Sequence, residues 1–304
     1  MKKLISFIFF ISLFAVTYYY HEDITKYIID NYIYKKEIII EDANQYKRNY
    51  NFSYVRQTDN FFPNNKQELY NVFYTILNNG WEEFTFYCGD EYIECEQDIK
   101  QLTEENNTIL SNINNYVHPY NSYSSISINM NNLKRITVNI TKLYSDEEII
   151  ALNNFVDTTY NKLIKKTMTE QQKIKIIHDY IINNSVYDSQ WKHLNEQTRT
   201  YKSNKAYGPL LQHIGLCGGY TDAMALFLEK MGIKNYKISS DNHIWNYLYI
   251  NNSWKHLDLT WDDPVTNTGR NVLQYNYYLI DTKTLENKKD GEHNYLKDVY
   301  IEAK

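Results

Sequence analysis

The sequence predicts an α+β fold in which helices come first, a helix led by a cysteine follows, and strands come last. Three observations support this order. Residues 145–148 and 169–172 each have the capping-box pattern that begins a helix. An apolar stripe at helical spacing follows Cys217, and two alternating segments, 242–250 and 253–261, read as paired strands.

The first twenty residues have the pattern of a secretory segment. Lys2 and Lys3 precede an apolar run over residues 4–16, and a basic start before such a run is typical of signal sequences. No small-x-small cleavage pattern follows, so an uncleaved anchor stands beside a cleaved peptide, with a buried helix as the remaining alternative. We therefore expect residues 1–20 to be a signal peptide or signal-anchor and residues 21–60 a membrane-proximal stalk. The protein would then be extracytoplasmic, either secreted or membrane-anchored.

Charge and cysteine content restrict the function further. The formal net charge is −5 and the basic residues do not cluster, which argues against a nucleic-acid-binding surface. Cys88 and Cys95 lie close together in the chain and can pair in an oxidising compartment, which would leave Cys217 as the odd thiol. Two unrelated thiols are the alternative.

Residues 61–144 predict a small α/β region. Apolar residues between Leu69 and Leu77 recur at helical spacing, and Gly80 stands at the expected helix end. A strand is expected over residues 81–88, a polar helix over 96–115, and a hairpin on either side of Asn131-Asn132. A second domain is expected over residues 145–304.

Cys217 has a position suited to a nucleophile. It stands at the start of the predicted helix, where unpaired backbone amides and the helix dipole stabilise a thiolate. The same amides are able to hold a developing oxyanion. Gly218 and Gly219 leave the sulfur open to a substrate. The alternative is a small buried cysteine at a helix–strand junction.

His243 and Asp258 are expected to meet on one sheet face. If Asn251-Asn252 forms a two-residue turn, Trp245 pairs with Asp258 and His243 faces Thr260. His243 and Asp258 are then diagonal neighbours, about 7–8 Å apart between Cα atoms. The carboxylate would orient the imidazole and stabilise the imidazolium.

Other groups compete for these roles. His256 falls on the same face as His243, and Asp262 and Asp263 are read as loop formers before Pro264. A zinc site built from the three candidates is a weaker alternative, because the chain lacks paired-ligand spacing around them.

Four segments in order carry a family resemblance: Tyr207-Gly-Pro-Leu210, Gly215-Leu-Cys-Gly-Gly-Tyr220, Asn242-His-Ile-Trp-Asn246 and Trp254-Lys-His-Leu-Asp-Leu-Thr-Trp-Asp-Asp-Pro264. Together they resemble the bacterial transglutaminase-like superfamily, over roughly residues 145–285. The resemblance implies a papain-like core, with the cysteine-bearing helix packed on an antiparallel sheet. It makes Cys217 the nucleophile, His243 the base and Asp258 the orienting residue, with no metal or cofactor, while Gln212 and Tyr207 are candidate oxyanion donors.

The expected activity is thiol-dependent acyl transfer or hydrolysis on protein or peptide amides. Cell-wall and surface proteins are among the candidate substrates. The acceptor, water or an amine, is left open. The alternative is a catalytically silent surface binding or scaffolding protein that retains the fold, whose role would survive Cys217→Ala.

Overall fold

The N-terminal segment forms two exposed helices. The computed structural model describes residues 2–33, 40–48, 61–104, 108–194, 199–265 and 272–303. Helix α1 spans Lys2–Tyr19 and α2 spans His21–Ile28, and a π-helical turn follows at Ile29–Ile33. Within the described residues no single helix is long and apolar enough to cross a membrane. The pair Ile5–Tyr19 and His21–Ile28, bent by 68°, meets the length and composition criteria together.

The next region combines three helices with an antiparallel sheet. Its elements are α3 (Lys66–Asn79), β1 (Glu83–Tyr87), α4 (Cys95–Leu102), α5 (Ile109–Asn114), β2 (Tyr123–Met130) and β3 (Arg135–Lys142). The strand order is β1-β3-β2. The hairpin has the predicted partners, with Ile126 opposite Ile140. Gly80 ends α3 in the left-handed region, as predicted. The polar helix predicted over 96–115 is instead two helices, α4 and α5.

A disulfide joins β1 to α4. Cys88 and Cys95 are bonded, with their Cα atoms 5.6 Å apart, and both side chains are buried. The sequence left open whether Cys88 and Cys95 pair or are unrelated thiols, and the structure shows that they pair. Cys217 is left as the free thiol.

Part of the predicted stalk packs against the folded body. The buried Arg48 side chain makes an ion pair of 2.5 Å with Glu229, and its backbone N–H donates to Asn78 Oδ1 at 2.9 Å. Asn44 donates to Asn121 Oδ1 at 2.7 Å. Residues 49–60 lie outside the described part of the chain.

The C-terminal region carries the cysteine helix and the second antiparallel sheet. Its elements are α6 (Asp146–Leu163), α7 (Glu170–Asn183), β4 (Val186–Tyr187), β5 (Ile214–Gly215), α8 (Cys217–Met231), β6 (Asn235–Ser239), β7 (Ile244–Ile250), β8 (Ser253–Leu257), α9 (Leu259–Asp262) and α10 (Thr282–Lys288). Both predicted capping boxes are present, at Ser145 and Thr169. β6, β7 and β8 form an antiparallel sheet in that order.

This sheet lies between two apolar cores. On one face Leu248 and Leu257 pack with α6, α7 and the apolar side of α8, including Phe227. On the other face Trp245 and Tyr247 join the core of the region that precedes residue 145. Both faces of β7 are therefore buried, and the polar groups at its N-terminal end are shielded from water on both sides.

Candidate active site

The β7–β8 hairpin sets the relation between His243 and Asp258. Asn251 and Asn252 form the predicted turn, with φ of 52° and 59°, the left-handed pair that a two-residue hairpin loop needs. Ile250 lies opposite Ser253, so the predicted register is confirmed.

The predicted extent of the second strand is wrong. β8 ends at Leu257, and Asp258 caps α9. Asp258 Oδ1 accepts the backbone N–H groups of Thr260 at 2.8 Å and Trp261 at 3.2 Å. Because a capping carboxylate satisfies orphan amides of a first helical turn, the chain leaves the sheet at this residue. Thr260 is therefore helical and does not pair with His243 across the sheet.

His243 and Asp258 form a direct pair. His243 Nε2 lies 2.5 Å from Asp258 Oδ2, and both side chains are buried. Burial acts to lower the pKa of His243, but the Asp258 carboxylate and the hydrogen bonds to Asp258 and Cys217 raise it to about 10. His243 is therefore an imidazolium at neutral pH.

Cys217 is the first residue of α8 and reaches the same histidine. Its side chain is partly buried, and its sulfur lies near enough to help raise the pKa of the His243 imidazole. The preceding residue, Leu216, is the N-cap and offers no side-chain cap. Its N–H donates to Ser203 O at 2.7 Å, which anchors the approach to the helix. The first backbone N–H groups of α8 therefore have no capping side chain at Leu216.

Two glycines, Gly218 and Gly219, allow the backbone of residues 203–204 to pass close to the start of α8. A Cβ at Gly219 would stand 2.3 Å from Ser203 O and 3.1 Å from Pro209 Cδ. A Cβ at Gly218 would stand 2.9 Å from Asn204 O. Gly219 is required by packing of the backbone, in addition to the open approach that the sequence suggested.

The structure adds His293 to this cluster. His293 Nε2 lies 2.9 Å from Asp258 Oδ2, and His293 Nδ1 lies 3.0 Å from both carboxylate oxygens of Asp290. Burial acts to raise the pKa of Asp258, but His243 and His293 hold it well below its usual range. No motif or spacing in the sequence links residue 293 to residue 258, so sequence reasoning missed His293.

The competing groups have other partners. His256 is buried and accepts from Trp245 Nε1 at 3.0 Å, and burial first, then the charge of His293, lower the pKa of His256 to about 3. His256 therefore stays neutral beside the pair.

Asp262 and Asp263 are buried acceptors rather than the loop formers that the sequence suggested. Asp262 Oδ2 lies 3.1 Å from His178 Nε2, and Asp263 accepts from Tyr220 OH at 2.5 Å. Burial raises the pKa of Asp263 to about 6. These contacts tie α9 to α7 and α8.

The two candidate oxyanion donors lie against Lys202. Gln212 Oε1 accepts from Lys202 N at 2.8 Å, and the Tyr207 ring lies under the Lys202 ammonium, 4.6 Å from Nζ to the ring centroid. The structure describes neither in contact with Cys217. Tyr187 lies within electrostatic range of the Cys217 sulfur. Burial, and then the charge of Cys217, raise the pKa of Tyr187.

Three ligand-type atoms also converge. His243, Asp258 and His293 present atoms that all lie within 4.8 Å of one another. These residue types are able to hold a divalent metal. However, ligands of one tetrahedral zinc stand about 3.3 Å apart, given Zn–N bonds of ~2.05 Å. The contacts of 2.5 and 2.9 Å to Asp258 are those of direct hydrogen bonds.

One protein family resembles the segment that carries the site. Residues 157–259 match the model of the transglutaminase-like superfamily, so the resemblance predicted from the sequence is confirmed over this segment. The match includes Cys217, His243 and Asp258, whereas Asp290 and His293 lie beyond it. The predicted α+β class is confirmed.

Two solved structures are similar to the chain. One is the crystal structure of a TGase, with 17% identity and a TM-score of 0.30, over 46% of this chain and 44% of that one. The other is a provisionally named cysteine protease from Cytophaga hutchinsonii, with 15% identity and a TM-score of 0.28, over 49% of this chain and 65% of that one. The chain thus spans less than two thirds of either structure. No curated protein matches.

Proposed function

We propose that this transglutaminase-like protein transfers or hydrolyses acyl groups of protein or peptide amides through Cys217, His243 and Asp258. One observation carries the proposal. Asp258 Oδ2 lies 2.5 Å from Nε2 of His243, while Cys217, the first residue of α8, helps to raise the pKa of the same imidazole. This is the geometry of a nucleophile, a proton carrier and an orienting carboxylate.

The raised pKa of His243 defines the starting state. Because it lies near 10, the proton resides on the imidazole at neutral pH. The sulfur of Cys217 then lies beside a cation, a setting that favours a thiolate nucleophile. His243 is placed to act first as an acid toward the leaving group.

The chemical step uses Cys217 as the nucleophile and His243 as the proton donor. The Cys217 thiolate attacks the amide carbonyl carbon, and a C–S bond forms. The developing oxyanion is held by the uncapped backbone N–H groups that begin α8. The C–N bond then breaks as His243 gives its proton to the leaving amine, which leaves a thioester. Neutral His243 next deprotonates the acceptor, water or an amine, and the acyl group leaves the sulfur.

Alkylation of Cys217 tests the activated thiol. We expect iodoacetamide at pH 7 to modify Cys217 faster than an ordinary cysteine, and His243→Ala to remove the enhancement. His193→Ala is the control, because His193 is an exposed histidine of a surface turn. Wild type and His243→Ala reacting at the same ordinary rate would contradict the proposal.

The acceptor is tested separately. A peptide containing glutamine is incubated with and without a primary amine, and the products are identified by mass. Deamidation or peptide cleavage alone would identify a hydrolase, and an amide to the added amine would identify a cross-linking activity. Absence of both, with unmodified Cys217, would support the silent binding alternative.

We also propose that the site works outside the cytoplasm, where α1 anchors it to a membrane or directs its export. The described side chains of α1 are exposed and mostly apolar, among them Phe7, Phe10 and Phe14. The disulfide between Cys88 and Cys95 suits an oxidising compartment. A membrane-impermeant maleimide should label Cys217 on intact cells. Protein that is protected on intact cells and labelled on Cys88 and Cys95 after lysis would contradict the proposal.

A further inference from the structure

His293 lies between two carboxylates inside the molecule. Its side chain is 3% exposed. Nε2 faces Asp258 Oδ2 at 2.9 Å, and Nδ1 faces both oxygens of Asp290 at 3.0 Å. Both ring nitrogens are therefore within hydrogen-bonding distance of carboxylate oxygens.

This arrangement sets the partners of the two ring nitrogens. A carboxylate only accepts hydrogen bonds when it is ionised, and a neutral imidazole has one donor nitrogen and one acceptor nitrogen. His243 and His293 hold the pKa of Asp258 below its usual range. Burial acts to raise the pKa of Asp290, but the hydrogen bond from His293 lowers it. His293 is therefore tied to Asp258 on one side and to Asp290 on the other.

The surroundings of His293 fix its ring plane. Tyr277 stacks on the ring with centroids 4.8 Å apart and planes 15° apart, and Trp245 meets it at 4.7 Å and 63°. Tyr277 OH also donates to Asp290 Oδ2 at 2.8 Å. The two aromatic rings restrict rotation of the His293 ring, and Tyr277 holds the outer carboxylate in place.

The Asp258 carboxylate is consequently held by four hydrogen bonds. Oδ1 accepts the two amides of α9, and Oδ2 accepts from His243 and His293. His293 therefore completes the set that prevents Asp258 from rotating away from His243. It also draws part of the Asp258 charge away from His243, because both imidazoles share one oxygen.

We propose that His293 is a positioning residue of this site: a buried imidazole, held between Asp258 and Asp290, that fixes the carboxylate which orients His243. The proposal rests on the proposed function of Cys217 and His243. It adds a second contact, from Asp290 to His293, behind the three residues that the family match contains.

Two readouts test His293, and the first is the hydrogen bonding of its ring. In protein labelled with 15N at histidine, the ring resonances of His293 are assigned by their loss in His293→Phe. Asp290→Asn removes one of the two carboxylates that His293 contacts, so we expect it to shift the Nδ1 resonance of His293. Ring resonances of His293 that are unchanged in Asp290→Asn would overturn the proposal.

The second readout is the reactivity of Cys217. His293→Phe keeps an aromatic ring between Tyr277 and Trp245 but removes both hydrogen bonds. We expect kcat and the alkylation rate of Cys217 to fall about 10- to 100-fold with KM unchanged, as for a misplaced catalytic group. His256→Phe is the matched control, because His256 is buried in the same sheet and packs near Trp245 without contacting Asp258. That variant should keep the wild-type rates.

The outcomes separate the two proposals. If His243→Ala leaves the alkylation rate unchanged, the proposed function fails. If His243→Ala slows alkylation while His293→Phe and Asp290→Asn do not, the positioning role of His293 fails and the function stands. Should His293→Phe fold poorly, Asp290→Asn supplies both readouts, because it leaves the ring in place.

Discussion

Gly219 offers a test of the packing that holds Cys217 in position. An added Cβ would stand 2.3 Å from the backbone oxygen of Ser203, whereas ordinary contacts begin near 3.3 Å, so the two chains must separate by about 1 Å. The Ser203 oxygen cannot move freely, because it accepts from Leu216 N at 2.7 Å. Overpacking of this kind costs about 1–3 kcal/mol, and the gain in helix propensity on replacing glycine offsets up to ~1 kcal/mol.

We therefore expect Gly219→Ala to lower the free energy of unfolding by about 1–2 kcal/mol, and the melting temperature by roughly 3–6 °C. A shift of ~1 Å at the nucleophile should also slow alkylation of Cys217 by about 100-fold. Gly218→Ala is the matched control. Its Cβ would stand 2.9 Å from Asn204 O, a smaller overlap than at Gly219, so we expect a smaller loss of stability and rate. Thermal unfolding and iodoacetamide kinetics measure both effects. Wild-type stability and rate in Gly219→Ala would refute the reasoning.

Three further predictions concern charge and covalent structure. Because the pKa of His243 is raised to about 10, the imidazolium is present below that pH, and kcat/KM should fall as pH rises through about 10; a profile flat to pH 11 would contradict this. The charge on His243 stabilises the fold fully below pH ~6.5, the unfolded value, and that contribution is lost as pH rises through about 10. Asp258→Asn keeps an oxygen to cap α9 but removes the negative charge that faces His243, so kcat should fall by about 10³- to 10⁴-fold with little change in circular dichroism. Activity near wild type would argue against an orienting role for Asp258. Replacing Cys88 and Cys95 by serine should lower the free energy of unfolding by ~2 kcal/mol, and dithiothreitol should destabilise the wild type alone; equal sensitivity to the reductant would show that the bond is absent.

Local patterns in the sequence predicted much of the fold. The capping boxes at Ser145 and Thr169 are satisfied by residues three positions away, and the turn at Asn251-Asn252 depends on residues that tolerate a positive φ. Each of these signals is complete within a few residues. For that reason helix starts and the hairpin register were predictable.

Longer-range contacts decided what the sequence could not predict. Asp258 reads as part of a strand by alternation, yet its side chain satisfies two amides of the next turn and ends the strand. Asp262 and Asp263 read as loop residues because Pro264 follows. Their partners, His178 and Tyr220, lie 84 and 43 positions away in the chain.

His293 shows the same limit at the site. It reaches Asp258 from 35 positions further along the chain, beyond the segment that the family model matches. Neither periodicity nor a short motif encodes such a contact. The role of His243 as the base stays a prediction. Burial acts to lower the pKa of His243, but the Asp258 carboxylate raises it to about 10, so the proposed mechanism starts with the proton on the imidazole.

Trapping a covalent intermediate tests the central claim most directly. The wild-type protein is mixed with an activated acyl ester of a glutamine-containing peptide, quenched in acid, and examined by intact and peptide mass spectrometry. We predict one acyl group per chain on the peptide that contains Cys217, no adduct in Cys217→Ala, and slower formation in His243→Ala. An acyl group that forms on another residue, or forms at the same rate in Cys217→Ala, would contradict the role of Cys217 as the nucleophile.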